Sequence, residues 1–167
     1  MGLLVRNSIR TDELTAVDLD ALSQDRGHRV LTIVRKGGRR VKDPAGPSTW
    51  EALEVYLEAR AAVAGLEGWR RLSGPQPATA SGGRLGQNHL WELVRRLART
   101  AGIDVWDQLS AHSLRHTAIT LVLDAGANIR DVQDWAGHRD PRTTRRYDQS
   151  RGSLDRSPVY TLASYLA

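Results

Sequence analysis

The stretch His112-Ser113-Leu114-Arg115-His116, followed by Ala136-Gly137-His138 and then by Tyr147, decides how this chain is read. His112 and Arg115 are three apart, so on a helix they project from one face near its start. That end of a helix also offers free N–H groups and a positive dipole, which suit a phosphate. His138 follows a glycine that ends a helix, so it sits at a fixed turn. Tyr147 comes nine residues later. A phenol beside fixed cationic donors is suited to attacking a phosphodiester, because the donors hold the phosphate charge while the phenol loses its proton. Taken singly, each group also has a plain structural reading: a capping histidine, a surface arginine, a turn histidine, an amphipathic tyrosine.

The helices around this stretch follow from their punctuation. Ser110 or Ala111 opens a helix that stops near Gly126, a C′ residue. Asn128 caps a short helix ending at Gly137. Asp140-Pro141 is an N-cap followed by proline at N1, which places Tyr147 on a short helix or its frayed end. Val159 to Ala167 reads as a small apolar helix. Upstream, residues 88–101 form a helix with Leu90, Val94, Leu97 and Ala101 at helical spacing. Its other side carries Arg95, Arg96 and Arg99. Residues 65–86 hold six glycines and two prolines and read as a loop. Ser48-Thr49-Trp50-Glu51 is a capping box behind Pro47, opening a helix to about Gly65 with Leu53, Tyr56 and Leu57 on one face. Arg29 to Arg35, the turn Lys36-Gly37-Gly38-Arg39 and a return at Arg40-Val41-Lys42 make a β-hairpin. Residues 3–22 read as one helix, with Leu3, Leu4, Ile9, Leu14, Val17 and Leu22 inward at imperfect spacing. The fold class expected is α+β, mainly α, with a small antiparallel hairpin or sheet at the edge of a helical core.

The chain has 167 residues, enough for a single domain with a real core. It has no phenylalanine, so leucine, valine and five tryptophans must fill that core. Its lack of cysteine excludes disulfides and thiolate chemistry and argues against a structural zinc site. No metal or other cofactor is called for. No apolar run approaches the roughly 20 residues that span a bilayer, and no signal-peptide layout opens the chain. A cytoplasmic location fits. The net charge of +5 favours a polyanionic partner.

In combination, these residues resemble the tyrosine recombinases, the phage integrase family. The family's box is His-x-x-Arg, then Gly-His or Gly-Trp, then a nucleophilic tyrosine nine residues on. "HSLRHT", "DVQDWAGH" and "TTRRY" match it and yield His112, Arg115, His138 and Tyr147. "NSIRTDEL" is similar to the segment with the family's first catalytic arginine, here Arg10, and Glu13 matches the acid that often supports it. "RKGGRR" resembles the hairpin with the catalytic lysine, here Lys36. Ser8 stands where the family usually has glycine, which reads as a mild packing change.

The resemblance implies site-specific recombination or integration of double-stranded DNA through a 3′-phosphotyrosyl intermediate and a free 5′-hydroxyl. Arg10 and Arg115 would hold the non-bridging oxygens with forked donors. Tyr147 would be the nucleophile, and Lys36 would protonate the leaving 5′-oxygen. His112 would assist deprotonation of Tyr147 or bind phosphate, and His138 would donate to the phosphate. Glu13 would orient a catalytic arginine or histidine. His116, His28 and His89 read as structural. Arg142, Arg145 and Arg146 are either DNA contacts or a solvated face.

The resemblance also implies a DNA-dependent homotetramer joined through C-terminal segments. Val159 to Ala167 is such a segment, or else caps its own core. Family members usually carry a DNA-clamping domain and one more helix ahead of the matched region. Residues 1–167 are therefore expected to be a single catalytic domain, truncated at its N-terminus.

Three other readings stand beside this one. A type IB topoisomerase uses the same groups, but the Gly-His-to-Tyr spacing and the compact length favour a recombinase. Residues 111–136 also read as the helix-turn-helix of a regulator, since two helices meet across Gly126, and Tyr147 would then be incidental. Such a regulator needs no Arg10, Lys36 or Tyr147, and all three stand at matching places. A truncated, non-catalytic DNA-binding remnant is the third.

Overall fold

The computed structural model describes residues 2–148, 154 and 157–166. The chain forms two compact units, residues 1–118 and 119–167, each with its own core. The fold is α+β and mainly helical.

The first unit opens with α1 (Gly2–Val5) and α2 (Thr11–Thr15). The single helix expected over residues 3–22 is not formed. Asn7 to Arg10 break it, with Ser8 at φ +49 and Arg10 extended at φ −70, ψ 153. A left-handed residue cannot continue a right-handed helix. Ser8 is therefore more than a packing change: it occupies backbone space that glycine enters freely. Leu4, Ile9 and Leu14 are all buried even so, because two short helices and a turn bring them to the same side. A 3-10 turn at Leu19–Ala21 then leads into β1 (Leu22–Asp25), where helix had been expected to end.

β1 pairs with β2 (His28–Arg35), and β2 pairs with β3 (Arg39–Pro44), both antiparallel. Among the described residues the sheet is three-stranded, in the order β1-β2-β3. The β1–β2 turn is Arg26-Gly27, with φ +48 and +81, the two positive values of a tight hairpin turn. The expected hairpin is the β2–β3 pair. Its last pair is Arg35 opposite Arg39, and Gly37 and Gly38, at φ +89 and +76, let the chain reverse within Lys36–Gly38.

The long helix α3 (Pro47–Val63) starts one residue ahead of the expected capping box. Gly46 is its N-cap and Pro47 takes N1, where the missing N–H costs nothing. Its buried face is Trp50, Leu53, Leu57 and Ala61, with Tyr56 at the margin. In α4 (Gln87–Thr100) the buried residues are Leu90, Val94 and Ala98, an i, i+4, i+8 row. Leu97, expected on that face, is exposed. Leu90 and Val94 pack with Leu31 and Ile33 of β2 and with the residues of α1 and α2. Each fully buried leucine or isoleucine there contributes about 1.5–3 kcal/mol.

Helix α5 (Ala111–Asp124) is capped reciprocally: the Ser110 amide donates to Ser113 Oγ at 2.8 Å, and the Ser113 amide donates to Ser110 Oγ at 3.1 Å. It ends as its glycine foretells. The Gly126 amide donates to the Leu123 carbonyl and the Ala127 amide to the Val122 carbonyl, with Gly126 at φ +92.

In the second unit α6 (Ile129–Ala136) starts at Asn128, whose side chain accepts from the Arg130 amide at 2.9 Å. Ile119, Leu123, Val132 and Ala136 form this unit's core, with Tyr147 packed at its margin. A five-residue helix α7 (Pro141–Arg145) is capped by Asp140. The tail helix α8 (Pro158–Leu166) leaves Val159, Tyr160, Leu162, Tyr165 and Leu166 exposed. Ala167, the expected end of that segment, lies outside the described residues.

Candidate active site

Arg10 is the N-cap residue of α2, and Glu13 is the third residue of that helix. The Glu13 carboxylate accepts from the Arg10 amide at 3.0 Å with one oxygen, and from the Arg10 guanidinium at 2.8 Å with the other. Glu13 is buried while the Arg10 side chain is 33 % exposed. An ion pair with one partner buried holds its geometry far better than a surface pair. The guanidinium is thus aimed outward from a rigid base.

Arg115 sits on α5 one turn beyond His112. It is buried, and its guanidinium donates to the main-chain carbonyl of Ser8. His112 is exposed. Arg10, Thr11, Asp12, Gln87, His112 and Arg115 line one open cleft of about 370 Å³ within the first unit. Two arginines and an imidazole thus meet in one cleft beside the N-terminus of α5, with the acid Asp12 also in its lining. Lys36 is exposed at the tip of the β2–β3 hairpin and is not among the residues lining the cleft.

Behind Arg10 lies a charge layer that sequence reasoning missed. Arg35 and Asp43 are both buried. Burial pulls the Arg35 guanidinium below its ordinary value, and Glu13 and Asp43 push it back. Burial pushes the Asp43 carboxyl above the ordinary range, and the Asn7 amide and Arg35 pull it back. The available signal was alternation: Leu31, Ile33 and Arg35 fall two apart along β2.

In the second unit the imidazole of His138 and the phenol of Tyr147 are stacked, with centroids 5.9 Å apart and planes 17° apart. His138 Nδ1 lies 2.9 Å from the hydroxyl of Thr144, which is fully buried. The His138 amide donates to the Gln133 carbonyl, and the Gln133 amide group donates back to the His138 carbonyl at 3.2 Å. This follows from Gly137, whose φ of +62 ends α6 and turns the chain. Tyr147 comes just past the α7 cap residue Arg146, its amide donating to the Thr144 carbonyl, and it is half-buried.

Arg142, Arg145 and Arg146 are exposed on and beside α7. Arg142 is tied to Asp140, whose carboxyl its backbone amide holds below the ordinary value. His116, His28 and His89 are exposed and stand outside the cleft lining.

A cleft lined by two arginines and a histidine stands on a mainly helical fold with a small edge sheet. The chain belongs to the phage integrase family, whose description matches residues 1–153. It is 37 % identical over 147 residues to the tyrosine recombinase XerC of Corynebacterium efficiens, covering 88 % of this chain and 44 % of that one. It is 33 % identical over 148 residues to the tyrosine recombinase XerD of Mycobacterium leprae, covering 88 % and 46 %. The chain thus spans under half the length of these relatives. The fold is similar to that of XerA recombinase, with a TM-score of 0.70 at 23 % identity over 97 % of this chain and 56 % of that one. XerH recombinase bound to its difH substrate is similar at a TM-score of 0.69 and 21 % identity, over 97 % and 44 %.

Proposed function

We propose that this chain cuts and rejoins double-stranded DNA through Tyr147, and that residues 1–167 serve as one catalytic domain of a site-specific recombinase. The observation that carries this reading is the cleft itself. Arg10, with both of its polar groups fastened by Glu13, lines it together with His112 and Arg115.

The chemistry follows from the groups. The Tyr147 oxygen attacks the phosphorus and loses its proton, with His112 as the assisting base or as a phosphate donor. The P–O5′ bond breaks, the 3′-phosphate becomes an ester of Tyr147, and the departing 5′-oxygen takes a proton from Lys36. Arg10, Arg115 and His138 donate to the non-bridging oxygens, where charge grows in the transition state. A second strand's 5′-hydroxyl then attacks the phosphotyrosyl ester and releases Tyr147. One phosphodiester is exchanged for another, so the step needs no ATP.

The partner is duplex DNA, a reading supported by the likeness to XerH site-specific recombinase bound to its difH substrate. The net charge of +5 and the exposed Arg142, Arg145 and Arg146 support a salt-sensitive grip on its phosphates. The apolar side chains that α8 exposes support docking onto a neighbouring copy in a DNA-dependent tetramer. A nicked duplex that traps the covalent intermediate tests the reading: an adduct at Tyr147 supports it, and no adduct opposes it.

A further inference from the structure

Asn7, Arg35 and Asp43 take no part in the chemistry above, and they are 3 %, 7 % and 3 % exposed. Burying a carboxylate and a guanidinium is costly, and apolar residues of like size generally serve a core as well or better. Their placement shows what they provide instead. Leu31, Ile33 and Arg35 alternate inward along β2, and Asp43 on β3 stands opposite Leu31, so both charges lie on the core face of the sheet. Asn7 spends its side-chain NH₂ group on β3: it donates to Asp43 Oδ2 at 2.9 Å and to the Pro44 carbonyl at 2.8 Å.

Asn7 is three residues ahead of Arg10. Between them Ser8 holds φ +49, and its carbonyl accepts from Arg115. A backbone in such a region persists only where its surroundings over-determine it. The segment carrying Arg10 is fastened at three points: to β3 through Asn7, to α5 through Arg115, and to α2 through Glu13.

We propose that Asp43 and Asn7 are positioning residues for Arg10, with Arg35 the second charged side chain buried on the same face of the sheet. The Asp43 carboxyl oxygen supplies a directional acceptor that an apolar residue cannot. Through Asn7 it sets where the Arg10 arm leaves the sheet, and so where the guanidinium stands in the cleft. The functional part of this inference rests on Arg10 acting as a phosphate donor.

The test is the paired variant Arg35→Met with Asp43→Leu, which exchanges the buried charges for apolar side chains and should fold at least as stably. Two readouts separate this inference from the functional reading. The first needs no DNA: the Arg10 side-chain Nε–H signal in an NMR spectrum of the free protein. It should be sharp in the wild type and broadened or shifted to the solvent-exposed position in the paired variant. The second is single-turnover cleavage of a nicked duplex, which should slow by about 10²-fold with DNA affinity unchanged. Asp43→Asn keeps an acceptor oxygen for Asn7 and should recover most of both. Should the paired variant fail to fold, Asn7→Ala removes the same link and is read in the same way. An Arg10 signal unchanged in the variant, or wild-type cleavage by it, overturns the proposal. If the wild type itself does not cleave, the functional reading fails, and the Arg10 signal alone decides the positioning claim.

Discussion

The guanidinium of Arg115 donates to the main-chain carbonyl of Ser8, which lies 107 residues earlier in the chain. That bond ties the start of α5 to the arm that carries Arg10, so the two arginines of the cleft share one mechanical base. Ser8 is also the most strained point of that arm. It stands at φ +49, and its buried hydroxyl finds no hydrogen-bond partner among the described residues.

Replacing Ser8 with glycine removes both costs and leaves the carbonyl in place. The left-handed conformation costs a serine about 1–2 kcal/mol. A buried unsatisfied hydroxyl adds about 1–3 kcal/mol. Glycine gives back about 0.5–1 kcal/mol through the greater freedom of its unfolded chain. Ser8→Gly should therefore raise stability by about 1 kcal/mol or more, read as a higher urea midpoint at an unchanged slope. A lower midpoint would mean that the serine is not strained.

Arg10 and Arg115 should respond differently to lysine. Both substitutions keep the charge and lose the fork, and both should slow cleavage by at least about 100-fold, the scale of losing one oxyanion donor. Arg10 is one-third exposed, whereas Arg115 is buried and bonded to Ser8. Only Arg115→Lys should also lower thermal stability. Near-normal cleavage by either variant removes that arginine from the mechanism.

Lys36 stands at a hairpin tip, outside the lining of the cleft, and its assigned step is protonation of the leaving oxygen. Lys36→Ala should be slow on ordinary DNA and near normal on a substrate with a bridging 5′-sulfur, which leaves without a proton. Equal defects on both substrates would reduce Lys36 to a DNA contact.

Two acids should give opposite pH signatures. Burial raises the Asp43 carboxyl above its unfolded value, against the pull of Asn7 and Arg35. The folded protein then holds that proton more tightly than the unfolded chain does. The resulting stability is full below the unfolded pKa and is lost as pH rises through the folded one. Asp140 is lowered by the Arg142 amide, so its contribution is present above the ordinary carboxylate range and fades as pH falls through its folded pKa. Urea midpoints measured across the acid range should show Asp43→Asn flattening a decline with rising pH, and Asp140→Asn flattening a rise. The same sign for both would contradict the assignment.

Much of this was legible in the sequence where single residues dictate backbone. Gly126 and Gly137 end helices, Asn128 and Asp140 begin them, and Gly37-Gly38 turns the hairpin, because each supplies a conformation or a cap that few residues can. The break at Ser8 was hidden because a serine occupies a glycine's conformation. β1 was hidden for a similar reason: its turn uses Arg26 at positive φ, where asparagine or aspartate would have announced it. The N-cap expected at Ser48 falls two residues earlier, on Gly46, with Pro47 at the first helical position. Arg35 and Asp43 were missed because charge argues for solvent, and only the pairing of β2 with β3 and of Asn7 with Asp43 shows why they are buried.

The central claim is that Tyr147 becomes covalently attached to DNA. Its ring is stacked on His138 and its backbone is fixed by Thr144, so replacing it with phenylalanine should leave the fold intact. The most direct measurement is denaturing-gel detection of a protein–DNA adduct on a nicked duplex that loses its 5′-hydroxyl fragment after cleavage. The account predicts an adduct with the wild type, its absence with Tyr147→Phe, and equal duplex binding by both. An adduct that persists in Tyr147→Phe, or a wild type that binds the duplex and never forms one, contradicts it.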